Sequence, residues 1–336
     1  MEITCKAKGC LLLGALGDAL GYAVEFDRID EIRKMYGNAG IQDLSLTNGK
    51  AIISDDTQMT LFTADALLSN SSDVVSELHN YYTDWLWTQA KQFFTDGYQC
   101  KSKLCEIEGL NKNRAPGRTC LYSLAKFKMG TIENPINDSK GCGGVMRVAP
   151  IALYYCQQLE KTETEISVIA VQASAITHGH ELGYIPSFCL VNMLVRIMRT
   201  NDILDSIVWQ SISDTKEYFA KSVHTSYFVT LMEKAIELSK LAIDDVEAIT
   251  QIGEGWVAEE TLAIAVYCAL KYKDDSKKVL IAAVNHNGDS DSTGSVAGNI
   301  IGAYLGYDSI DKEWTSKLEF SELITSFAEK LIANVG

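Results

Sequence analysis

The chain reads as all-α, a single compact multi-helix domain. Only four of its 336 residues are proline, and Ala, Leu, Ile, Glu and Lys fill its long periodic segments, which favours helix over strand. Gly294, Gly298, Gly302 and Gly306 recur at every fourth position, a spacing that sets them along one ridge of a helix. Each interior glycine costs about 0.5–1 kcal/mol relative to alanine, so such a ridge predicts a second backbone close by. The matching partner is the apolar run CLLLGALGDALGYAVEF with Gly14, Gly17 and Gly21, and the two are expected to form a central helix pair. No repeat, linker or low-complexity tract divides the chain, so residues 1–336 are expected to form one domain.

Composition narrows the partners. With 47% hydrophobic residues and a mean hydropathy of zero, the chain is a soluble globular one with a large core. A net charge of −14 and a pI of about 4.8 argue against a nucleic-acid groove, which needs clustered Lys and Arg. An anionic ligand must be held locally, by metals or backbone amides, whereas a cationic group such as a guanidinium suits the acidic balance. Nine cysteines lack any C-x-x-C pair and are odd in number, which points to reduced thiols and a cytoplasmic location. Asp18 and three glycines interrupt the N-terminal apolar run, which is shorter than the roughly 20 residues a span needs. It is expected to be a buried helix rather than a membrane or signal segment, in a monomeric protein.

In chain order, the first helix is expected to end at Glu25, followed by a short helix over 27–36 and a loop over 37–53. That loop leads to Ser54-Asp55-Asp56-Thr57, placed as the start of the helix MTLFTADALL with Ser54 as N-cap. Residues 73–96 read as an aromatic helix whose Tyr81, Tyr82, Trp85 and Trp87 suit core packing, with His79 structural. The turn-rich stretch 109–119 carries Arg114 and Arg118, either of which can meet a phosphate or remain solvated. GCGGVMRVAP at 141–150 is a glycine-rich loop before a helix over 145–156; it allows backbone N–H groups to approach a diphosphate, but has neither the Gly-Lys-Ser/Thr of a Walker loop nor dinucleotide-fingerprint spacing.

His178 and His180 precede a helix running to Arg199; with no third ligand nearby they suit hydrogen bonding to a ligand or helix end better than zinc. Helices are expected over 203–220 and 225–241, with His224 exposed or capping and Asp244-Asp245 starting the next helix. Trp256, set among glycines before a helix that continues to Tyr272, is either a lid and stacking surface for a nucleobase or a core residue. Residues 313–334 close the chain as one or two helices.

The loop NGDSDST brings the second acidic cluster, Asp289 and Asp291 followed by Ser292 and Thr293. Asp-x-Asp with hydroxyls suits a hard divalent ion, and the same residues are ordinary helix caps. Two such clusters, together with Glu25, favour an oxygen-rich metal site over two coincidental caps.

Taken together, the phrases GDALGYAVEF, SDDTQMTLFTADALL, NRAPGRTC, GCGGVMRVAPIAL, ITHGHELG, GEGWVAEETLAIA and NGDSDSTGSVAGNIIGAYLG resemble, in the same order and over nearly the full length, the ADP-ribosylglycohydrolase family. The resemblance implies an all-α fold with two Mg²⁺ or Mn²⁺ at the base of an ADP-ribose cleft. It implies metal ligation by Ser54, Asp55 and Asp56 and by Asp289, Asp291 and Ser292, with Glu25 beside them. Gly143 and Gly144 match the phosphate loop, Thr119 and His178 match ligand-contacting positions, and Trp256 falls where an aromatic residue lines the nucleotide site. Many relatives carry Thr in place of Ser54 and Asn in place of Cys142; the versions here are more like the arginine-directed branch.

The implied partner is an ADP-ribosylated protein, and the implied reaction is hydrolysis of the N-glycosidic bond to arginine with Asp56 or Glu25 as the base. Other linkages (serine or O-acetyl-ADP-ribose) and a non-catalytic binder remain alternatives. An isoprenoid synthase would also use Asp-rich helix starts, but Met59 stands where that class prefers a carboxylate.

Overall fold

The computed structural model describes residues 1–333 and is all-α, with only isolated β-bridges among the described residues. Its helices are α1 Ile3–Tyr22, α2 Ile29–Tyr36, α3 Asp55–Leu68, α4 Val74–Gln89, α5 Arg118–Leu124 and α6 Ala149–Tyr155. They continue with α7 Glu163–Ala175, α8 Glu181–Arg199, α9 Leu204–Tyr218, α10 Thr225–Ser239 and α11 Asp245–Ile252. The last are α12 Ala258–Lys271, α13 Ser276–Val284, α14 Ser290–Leu305, α15 Lys312–Lys317 and α16 Ser321–Ala333.

At the centre, α1 and α14 run antiparallel with their backbones in contact. A Cβ on Gly9 would strike the Gly302 carbonyl, on Gly17 that of Gly294, and on Gly21 that of Ser290; a Cβ on Gly298 would strike the Leu13 carbonyl. Small residues are therefore the condition for this approach. Asn299 fills the space left by Gly14 and donates from Nδ2 to the Cys10 carbonyl at 3.0 Å. Because the register is antiparallel, the C-terminal end of α1 meets the N-terminal end of α14, and Glu25 comes to lie near Asp291.

Several boundaries differ from those read in the sequence. The first helix stops at Tyr22, so Glu25 sits in the turn that follows it. The aromatic helix ends at Gln89 and gives way to a 3₁₀ turn at Lys91–Phe93, while the glycines of 142–144 form another and delay the next helix to Ala149. Arg114 is buried and bound to Glu319 (Nη1 to Oε1, 3.1 Å), which removes it from any phosphate role. His180 caps α8, its Nδ1 accepting from Leu182 N–H at 3.0 Å, and the His224 ring packs against it at a tilt of 48°.

One helix, Glu181–Arg199, is long and apolar enough to cross a membrane by length and composition, and it is 89% buried inside the fold. It packs against α6, α7, α9 and α12 as a core helix.

Candidate active site

Three helix ends converge. The Asp18 carboxylate, buried on α1, accepts hydrogen bonds from Ser54 N–H (2.9 Å) and Thr57 N–H (3.1 Å) and from the Thr57 hydroxyl, so it holds the first turn of α3 in place. That turn then caps itself, Ser54 Oγ accepting from Asp56 N–H at 3.1 Å. At the start of α14 Asp289 is the N-cap, and Ser292 N–H donates to Asp291 Oδ1 at 2.9 Å. The two clusters meet where the Ser292 hydroxyl lies 3.4 Å from Asp56 Oδ1.

The result is a group of buried carboxylates. Oxygens of Asp55, Asp56 and Asp291 lie within 4.8 Å of one another. Asp289 and Glu25 complete the set, and Asp56 Oδ2 and Glu25 Oε2 are buried with no hydrogen-bond partner. Burial, reinforced by the neighbouring carboxylates, pushes Asp55, Asp56 and Asp291 well above the usual carboxylate range. Glu25 is pushed up to about 10 by burial and then by Asp291, Asp55 and Asp18.

Like charges so placed cannot all ionise without a counter-charge. Hard oxygen donors, unpartnered and buried side by side, fit a hard divalent cation of the Mg²⁺ or Mn²⁺ type. Helix capping accounts for Ser54 and for one oxygen of Asp289 and Asp291; it does not account for the orphaned oxygens of Glu25 and Asp56.

Above the carboxylates opens a cleft of about 620 Å³, with Glu25, Asp55, Asp56, Asp289, Asp291 and Ser292 at its floor. Three loops form one wall: Cys142 N–H donates to the Trp256 carbonyl (3.3 Å), Asp289 N–H donates to the Glu254 carbonyl (2.8 Å), and Gly141 bridges to Val257. Gly288 must be glycine, since a Cβ there would strike the Glu254 carbonyl and its φ is +157°. Opposite lies the segment Ala115–Thr119, tied to the floor by Gly117 N–H donating to Asp55 Oδ2 at 3.2 Å.

Gly143 lines the cleft, and a Cβ on it would press on Cys120 Sγ and the His178 ring; Gly144 lies behind, against Gly183 and Ser174. His178 is buried, and burial followed by the Arg147 charge lowers it to about 3, so its ring is neutral. Arg147 Nη2 donates to Thr177 Oγ1 at 2.7 Å, and Thr177 Oγ1 lies 2.9 Å from His178 Nδ1. An arginine can only donate, so the Thr177 hydroxyl accepts from it, and its contact with Nδ1 runs in the direction that the ring tautomer sets. The remaining ring nitrogen, Nε2, lies on the side of Gly141 and Gly143.

Of the residues singled out in the sequence, Glu25, Asp55, Asp56, Arg118, Thr119, Gly143, His178, Trp256, Asp289, Asp291 and Ser292 line this cleft. Ser54 and Gly144 stand behind it as supports. Trp256 is 41% exposed, which excludes a core-packing role. Sequence reasoning missed Phe26, 73% exposed at the cleft, the bracing carboxylate Asp18, and Cys142, whose Sγ lies 2.8 Å from Asp289 Oδ2. Asp18 was legible as the single charge within the apolar stretch 9–24; Phe26 carried no signal beyond adjoining Glu25.

The ADP-ribosylglycohydrolase family profile matches residues 2–336. Similar chains include the ADP-ribosyl-(dinitrogen reductase) glycohydrolase of Rhodospirillum rubrum, 26% identical over 94% of this chain and 90% of that one. ADP-ribosylhydrolase ARH3 of Mus musculus is 23% identical (97% and 90% covered), and ADP-ribosylarginine hydrolase Tri1 of Serratia proteamaculans is 24% identical (97% and 78%). A solved ADP-ribosylglycohydrolase-related protein complex shares the fold with a TM-score of 0.65, at 21% identity over 99% of this chain and 98% of that one. With its whole length matched, the chain belongs to the ADP-ribosylglycohydrolase family.

Proposed function

We propose that this hydrolase removes ADP-ribose from ADP-ribosylated protein by cleaving the N-glycosidic bond to an arginine guanidinium. The observation that carries the reading is the buried carboxylate floor, paired with no Lys or Arg among the described residues, beneath a cleft with aromatic rings at its mouth. Two observations favour the arginine linkage: the Serratia relative is called an ADP-ribosylarginine hydrolase, and Ser54 and Cys142 are more like the arginine-directed branch.

In this reading Ser54, Asp55 and Asp56 with Asp289, Asp291 and Ser292 hold Mg²⁺ or Mn²⁺, two ions by analogy with the family. Bound there, the ions supply positive charge for ribose hydroxyls and lower the pKa of a water. Glu25 or Asp56 would take a proton from the attacking water as the C–N bond to the guanidinium breaks through an oxocarbenium-like state; the departing guanidine nitrogen regains a proton, leaving ADP-ribose and the protein with an unmodified arginine side chain. His178 Nε2–H and the backbone around Gly143 face the diphosphate, Thr119 contacts the ligand from the opposite wall, and Trp256 stacks on the base. A carboxylate near the leaving group favours a guanidinium over a neutral serine oxygen.

The test is a side-by-side assay on arginine-linked and serine-linked ADP-ribosyl peptides, with and without EDTA. Release from arginine, abolished by EDTA, is expected. Faster release from serine refutes the linkage, and binding of ADP-ribose with no turnover of either peptide refutes catalysis.

A further inference from the structure

Away from the cleft, Asp84 on α4 and two cysteines of the following segment, Cys100 and Cys105, bring a carboxylate oxygen and two sulfurs within 4.8 Å of one another. Asp84 and Cys105 are buried and Cys100 is half-buried. We propose that these three side chains form a second metal site, for a thiophilic divalent ion of the zinc class.

The donor set decides the ion. Two thiolates and one carboxylate suit Zn²⁺ and its soft neighbours, whereas Mg²⁺, Mn²⁺ and Ca²⁺ prefer the all-oxygen cluster of the cleft. None of the three residues lines that cleft. The carboxylate is already oriented: Asp84 Oδ1 accepts from the Tyr98 hydroxyl at 2.7 Å, and Oδ2 accepts from Ser102 N–H at 2.8 Å. Each oxygen keeps a second lone pair, and such outer contacts are what fix metal-binding carboxylates.

Charge is left for an ion to balance. The nearby cation, Lys101, is bound to Glu77 (Nζ to Oε2, 3.0 Å). On binding, each thiol releases its proton to solvent while the ion takes two sulfurs and one oxygen, so no oxidant is needed. The half-buried side of Cys100 leaves the fourth position to water. Among the described residues, only two short 3₁₀ turns lie between α4 and α5. An ion here ties that segment to α4 shortly before it reaches Arg118 and Thr119 in the cleft wall.

The full chain, purified under a phosphine reductant, is titrated with Co²⁺ as the probe and followed by the thiolate-to-cobalt charge-transfer band. A band that saturates near one ion per chain, is bleached by Zn²⁺ and survives in Asp289→Asn is expected. Cys105→Ser can disturb the core, so Cys100→Ser at the half-buried position is the deciding variant: with unchanged circular dichroism it should lose the band or weaken binding at least about tenfold. Absence of the band in the wild-type chain, its persistence at full strength in Cys100→Ser, or a Cys100–Cys105 disulfide in the same reduced preparation overturns the proposal.

Discussion

His178 shows how single hydrogen bonds set what a residue can do. Arg147 donates to Thr177 and leaves the Thr177 proton available to Nδ1; with that proton placed there, the imidazole should carry its own on Nε2 and offer a donor to an anionic ligand. Nitrogen-15 spectra of the histidine ring should show that tautomer, and a wild-type ring protonated on Nδ1 would reject the relay. Thr177→Val leaves Arg147 Nη2 with only the Ala173 carbonyl, at an expected cost of about 1–3 kcal/mol in stability, and should weaken ADP-ribose binding. Trp256 offers a second check at this scale. Trp256→Ala should reduce ADP-ribose affinity by about 1–3 kcal/mol, the scale of one base stacking on an aromatic ring, with metal content unchanged. Unaltered affinity returns Trp256 to a surface role. Residue types and spacing made both acidic clusters legible in the sequence as carboxylates adjoining hydroxyls at helix starts, a form that Asp275-Ser276 at the start of α13 shares outside the site. The same signals could not show which oxygens the caps use and which stay free, because that depends on how α1, α3 and α14 meet.

At the scale of elements, glycine spacing carried the central fact. The ridge on α14 predicted close contact with α1, and backbone contact along Gly9, Gly17, Gly21, Gly294, Gly298 and Gly302 is what the structure shows. Gly9 was not part of that reading, since it stands before the apolar run begins. Gly298→Ala should therefore destabilise the fold by about 1–3 kcal/mol through overpacking against the Leu13 carbonyl. Gly117→Ala is the contrast, because a Cβ there meets nothing within 4 Å and φ is −57°. Urea midpoints at constant slope measure the difference; equal midpoints would mean that the helix pair can spread at no cost. Helix ends were less legible than helix existence. Propensity extends the aromatic helix through 90–96, but Ala90 leaves helical geometry at φ −149° and the chain turns away at Gln89. Similarly, Arg114 looked solvated in a turn-rich loop because its partner, Glu319, lies 205 residues away.

For the whole molecule, the carboxylate floor draws on the first sixth and the last sixth of the chain, so a cation bound there would be linked to global folding. Without a cation the native state must keep Glu25 protonated up to about 10, whereas the unfolded chain releases that proton near its ordinary value of 4.5. Between those values the native state binds more protons than the unfolded one, so Glu25 contributes stability that is present below about 4.5 and is lost as pH rises toward 10. His178 and His286, lowered to about 3 and about 4 by burial, act in the opposite sense only below their unfolded value of 6.5. Above pH 7, then, EDTA-treated protein should lose stability as pH rises, and Glu25→Gln should flatten that slope. Adding Mg²⁺ or Mn²⁺ at about 100 times its dissociation constant should raise stability by about 2.7 kcal/mol, more at higher pH because the ion competes with protons for the same oxygens. Asp289→Asn should bind less metal and gain less. Denaturant titrations across pH 7–9, with and without the ion, decide the matter: a wild-type chain whose stability ignores both pH and divalent cations would mean that these carboxylates are balanced by something other than a metal.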